Sequence, residues 1–201
     1  ESETQNIKVS GGALTNEYEI ECLDYEENRH FFLSQYYRDN YENALAKLPL
    51  VTSDININKI EVWVTNTTSN YENSRNIVAF TDLGEGKDEW IYSDKIHSSG
   101  VIGPQYPDNR SNDLLYSIDT TSIRSLNTVT SYLSSQGYTS GKDFEKLQKA
   151  RKLNPSEYVL NPKLGFITLN ISLNANQTLA VAYQYTVIGQ DKVYQVGEFS
   201  D

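Results

Sequence analysis

Thr178-Leu-Ala-Val-Ala-Tyr-Gln-Tyr-Thr-Val-Ile188, then Gly189-Gln190-Asp191, then Val193-Tyr-Gln-Val-Gly-Glu-Phe199, is the stretch that decides the fold class. Leu179, Val181, Tyr183, Tyr185 and Val187 occupy alternate positions, the period of a β-strand. The Gly-containing triplet is a turn, and the apolar positions after it return as an antiparallel partner. The other face of the first run is Ala180, Ala182, Gln184 and Thr186, a pattern that a strand lining a membrane barrel would also show. The returning strand carries Gln195, Gly197 and Glu198 and has no clean apolar face. A half-buried strand of an ordinary sheet is therefore the favoured reading.

Working outward, Ile60 to Val64 (IEVWV) is a strand with Trp63 on the face opposite Ile60, Val62 and Val64. Glu17–Leu23, Asn76–Leu83, Glu157–Leu160 and Phe166–Asn170 read as further strands, and Asp88–Ser93 as a short one. Three segments have helical spacing. Leu33, Tyr37, Tyr41, Ala44, Leu45 and Leu48 recur at three and four up to Pro49, although His30 to Leu33 also fits a strand. Ile123, Leu126, Val129 and Leu133 precede Gly137, a suitable helix terminator. Phe144, Leu147, Ala150 and Leu153 are in register within a charged run ended by Asn154-Pro155. Strands around interspersed helices predict an α+β fold. The expected architecture is an antiparallel β-sheet, open or a two-layered sandwich, packed with about three helices near 34–48, 121–136 and 142–153. Residues 1–16 are expected to be a loosely ordered start, and 17–201 a single α+β domain.

The composition narrows the function. The chain has 201 residues, a formal charge of −10, two His, one Cys and no Met. Net negative charge disfavours nucleic acid and anionic membrane surfaces. One Cys can form neither an internal disulfide nor a Cys-only zinc site. No apolar run approaches the ~20 residues of a spanning helix. The start at Glu1 and the lack of Met are the expected marks of a segment taken from a longer protein. Fifteen Tyr with abundant Asn, Ser and Thr suit strand surfaces facing water.

No chemical motif is complete. Asp54-x-Asn56-x-Asn58 opens like a calcium loop, but Lys59 stands where the turn glycine belongs and Thr65 where the bidentate Glu belongs. An extended polar segment leading into Ile60 is the stronger reading. Gly84-Glu85-Gly86-Lys87 and Gly141-Lys142 lack the spacing of a phosphate cradle and read as turns. Cys22 lies between Glu21 and Asp24, which disfavours its thiolate, and with Ile20 it fits a packed strand face. His30 and His97 have no ligand spacing. Asp24, Glu26, Glu27, Asp82, Glu85, Asp88 and Glu89 supply carboxylates, which as a glycosidase pair would have to face each other across a cleft. Trp63, Trp90 and Tyr92 are the candidate interaction surface, since aromatic strand faces stack on sugars. No catalytic, cofactor-binding or metal-binding residue is expected.

Several longer stretches point further. They are Asn28–Tyr41 (NRHFFLSQYYRDNY), Ile60–Asn66 (IEVWVTN), Arg75–Phe80 with Asp82–Glu85 (DLGE), Ala150–Tyr158 (ARKLNPSEY), Leu164–Asn170 (LGFITLN), Leu179–Tyr185 and Tyr194–Phe199. In this order and spacing, from about residue 17 to the end, the chain resembles the SprA/Sov family of Bacteroidetes. The resemblance implies a very large outer-membrane β-barrel, the translocon of type IX protein secretion and gliding motility. It implies as partners a PorV-like barrel that carries cargo, a periplasmic plug and secreted cargo proteins. It carries no catalytic residues. The segment is then expected to be a non-enzymatic structural and interaction domain in the soluble phase outside the bilayer, at the outer membrane or cell surface. The alternative is a cell-surface carbohydrate-binding or adhesin module resting on Trp63, Trp90 and Tyr92, and a hydrolase with paired carboxylates is the third reading.

Overall fold

A computed structural model describes residues 5–11, 14–20, 25–68, 71–100 and 105–200, with 5–20 described for the backbone. The strands in chain order are β1 (Gln5–Gly11), β2 (Leu14–Ile20), β3 (His30–Phe32), β4 (Ile55–Val64), β5 (Ser74–Phe80), β6 (Phe144–Lys152), β7 (Tyr158–Asn161), β8 (Phe166–Leu169), β9 (Leu179–Val187) and β10 (Val193–Val196). Helix α1 (Gln35–Leu45) follows β3, and α2 (Leu114–Ser117), α3 (Thr120–Ile123) and α4 (Val129–Ser135) lie between β5 and β6. All strand pairs are antiparallel: β1 with β2, the set β3-β8-β7, and the set β10-β9-β4-β6-β5. The fold is α+β with strands dominating.

The decisive hairpin forms as read, β9 and β10 pairing from Val193–Thr186 to Val196–Tyr183. β9 is a central strand, and its second neighbour is β4, from Ile55–Val187 to Val64–Leu179. Tyr183, Tyr185 and Val187 face the main core. They meet Ile55, Ile57, Val62 and Val64 of β4, Ile167 and Leu169 of β8, and Leu33 and Tyr37 beside α1. The two larger sheets thus form two layers over this half of the molecule. Phe80 and Phe144 extend the same side of the sheet into a second core with Ile96, Leu114, Ile118, Val129, Leu133 and Tyr138. Each fully buried Leu there contributes roughly 1.5–3 kcal/mol relative to exposure.

Two segments depart from expectation. The helix expected over 142–153 is strand β6. Its spacing of three comes from burial on both faces plus a bulge. Phe144 enters the second core, while Leu147 and Ala150 enter a third cluster on the opposite side. Two residues of β6 intervene between Leu147 and Ala150, against one of β5, and Lys149 takes φ 51° there. The short strand expected over Asp88–Ser93 is a 3₁₀ turn, Asp88–Trp90, whose Asp88 carboxylate accepts from the Ser98 amide.

The helix expected over 121–136 is interrupted. Asp119 accepts from the Thr121 and Ser122 amides and starts α3, whereas the Ser125 carbonyl accepts from the Thr128 and Val129 amides in a turn that separates α3 from α4. Gly137 closes α4 as read. At φ 87° its N–H donates to the Ser134 carbonyl, and the Tyr138 N–H donates to that of Leu133. Asp54, Asn56 and Asn58 lead into and along β4, the extended reading, with a bulge between Ile57 and Lys59.

Candidate functional site

A concavity lies between the two larger sheets where β3 approaches the start of β9. It is a cleft of about 360 Å³ with Phe31, Leu33, Ile167, Leu173, Leu179 and Val181 on its walls. Asn28, Asn174 and Gln177 supply polar groups around it. Its volume falls within the range of small binding sites, and its lining is chiefly apolar, as such sites are. One wall is the connection between β8 and β9. Gln177 ties that connection internally by accepting from the Asn174 amide, and externally by donating to the Thr65 carbonyl. Thr65 and Thr178 bond each other through both main-chain and side-chain groups. The opposite wall is β3 with Ile167 of its partner strand β8. Among the described residues no carboxylate lines this cleft. A second cleft of about 260 Å³ beside α1 has Asp54 as its one carboxylate. The arrangement can bind apolar groups.

A polar interior is built around Glu85. Glu85 is buried, and its Oε1 accepts the amide of Gln35, the first residue of α1, at 2.9 Å. It thus caps the helix from a distant loop while Ser34 makes no side-chain cap. Glu85 Oε2 and the Tyr37 hydroxyl have no hydrogen-bond partner among the described residues. Burial, with added repulsion from Asp82 and Asp39, pushes the Glu85 carboxyl up to about 7 despite the Gln35 bond. Tyr183 and Tyr37 are raised by burial, and by Glu85 itself. Asp82 organises the loop around Glu85 by accepting from the Tyr92 and Ser93 amides, and Asn112 donates to the carbonyls of both Asp82 and Glu85.

A second polar centre sits on the outer side of the five-stranded sheet. Glu61 is 2% exposed. It accepts from Lys152 Nζ at 2.6 Å, Ser200 Oγ at 2.7 Å, the Ser200 amide at 3.0 Å and Trp63 Nε1 at 3.2 Å. Burial works to raise its pKa, but these bonds prevail and hold it below the usual range.

The expected aromatic surface is corrected here. Trp63 is 5% exposed and packs with Leu147, Ala150 and Ala180, the small alanines leaving room for its indole. Trp90 is 6% exposed, edge-on to Tyr36, with its indole N–H on Asp39 at 2.6 Å. Only Tyr92 of the three is exposed. They form no shared platform, because tryptophans flanked by core partners are consumed by packing. Cys22 lies outside the described residues. His30 is exposed, bonded to Glu26 and Thr168. His97 lies apart from it, its amide on Asp113. The cleft residues Phe31, Leu33 and Leu173 were missed, and the signal present was the apolar triplet 31–33, whose first two residues belong to strand β3 rather than to a helix.

No curated protein matches the chain. The family model SprA_N, described as motility related/secretion protein, matches residues 1–187. It spans every element from β1 to β9, including both walls of the cleft, and the chain belongs to that family.

Proposed function

We propose that this chain is a non-catalytic structural and interaction domain of the outer-membrane translocon for type IX secretion and gliding motility in Bacteroidetes. Family membership over residues 1–187 is the observation that carries the reading. The family is motility- and secretion-related, and the translocon role is the finer step. Mean hydropathy of −0.56 and the charge of −10 support a segment that stands in water outside the bilayer, at the outer membrane or cell surface. The apolar cleft supports contact with other polypeptides, and the partners proposed are a PorV-like barrel, a periplasmic plug and secreted cargo.

Deleting residues 17–199 from the parent protein tests this. The expected result is loss of cargo export and of gliding, with the parent still assembled in the outer membrane. Intact export and gliding would overturn the proposal.

A further inference from the structure

We propose that the outer edge of β3 and the adjoining cleft receive an extended segment of another polypeptide, which adds as a further strand and seats an apolar side chain in the cleft. The proposal deepens the reading as an interaction domain and rests on it.

The ladder phase identifies the free groups. The Leu33 amide donates to the Gly165 carbonyl and the Leu169 amide to the Arg29 carbonyl, both on the β8 side. In an antiparallel pair such bonds fall on every second residue. Arg29, Phe31 and Leu33 therefore spend their main-chain groups on β8, and those of His30 and Phe32 point away from the sheet. Among the described residues nothing bonds them. β3 ends its sheet, and among the described residues no strand lies beyond this edge. Open N–H and C=O groups at strand spacing specify a strand backbone.

The side chains specify the rest. Phe31 and Leu33 point inward and line the cleft with Leu173, Leu179 and Val181. Phe32 also borders the cleft, is 40% exposed, and joins Tyr41 and Phe166 in an edge-on trio at 5.4–6.2 Å. An added strand would place alternate residues over the cleft and over this trio. A segment with apolar residues at every second position fits both.

The test uses the 201-residue chain and a displayed pool of heptapeptides carrying Val, Leu, Ile or Phe at positions two, four and six, the strongest binder then being synthesised. Binding should be saturable and should slow amide exchange at His30 and Phe32 by about ten-fold or more. N-methylation of the peptide amides that face the edge should weaken binding about ten-fold. His30→Pro removes an outward donor and leaves the β8 ladder bonds in place, and it should weaken binding similarly in a folded protein. His30→Ala keeps the donor and should bind like the parent chain. The proposal is overturned if no peptide binds, or if binding ignores both N-methylation and His30→Pro. Protection of the same amides by self-association without peptide would also overturn it. The deletion in the parent protein reads export alone, so the two proposals fail separately.

Discussion

Glu85 spends one carboxyl oxygen on α1 and buries the other without a partner among the described residues. Its pKa is raised from 4.5 to about 7 on folding, so the folded state keeps a proton that the unfolded chain has released. The resulting stability is fully present below pH 4.5 and is lost as pH rises towards 7, by up to about 3 kcal/mol. Glu85→Gln keeps an acceptor for Gln35 and cannot ionise. Its stability relative to the parent should therefore improve between pH 5 and pH 8, as read by denaturant titration at each pH, and parallel curves would refute the assignment. The buried tyrosines offer a second contrast. Tyr185 donates to the Pro107 carbonyl at 2.7 Å, whereas the Tyr183 hydroxyl only lies towards Ser34, without a well-formed bond. Tyr185→Phe should cost about 1–2 kcal/mol, and Tyr183→Phe less than about 0.5 kcal/mol. Equal losses in chemical denaturation would contradict that difference.

Among the elements, the β7–β8 turn and α1 are joined by one glycine. Gly165 has φ +65°, and a Cβ there would lie 2.0 Å from the buried ring of Tyr37. Gly141 has φ +81° with nothing within 4 Å. Gly141→Ala should thus show the left-handed backbone cost alone, roughly 1–2 kcal/mol. Gly165→Ala should add a clash and lose about 2–4 kcal/mol, measured the same way. The strands β4 and β9 were legible because Ile60, Val62 and Val64, and Leu179, Val181, Tyr183, Tyr185 and Val187, alternate without a break towards the main core. β6 was not, since its two faces serve different clusters and its bulge at Lys149 turns a period of two into an apparent period of three. β3 was legible only as the alternative to a helix start. Three residues carry too little periodicity to choose.

Across the whole molecule, the strand and helix patterns placed the chain in the α+β class and the longer stretches placed it in its family, while the cleft stayed hidden. The cleft combines residues near 31, 167, 173 and 180, which share no local pattern and meet only through the pairing of distant strands. Trp63 and Trp90 looked available for the same reason. Nothing near either in sequence announces the Ala180 or Tyr36 that covers it. The pairing of β4 with β9 also sets a clock. Thr65 and Thr178, bonded across the end of that ladder, are 113 positions apart. Loop closure over such a span precedes any reward from the central ladder, which slows folding. A nascent chain halted before residue 179 holds β4 with its main partner still unmade, so the sheet is completed late in synthesis, and any factor that guards the unfinished chain must act until β9 has emerged.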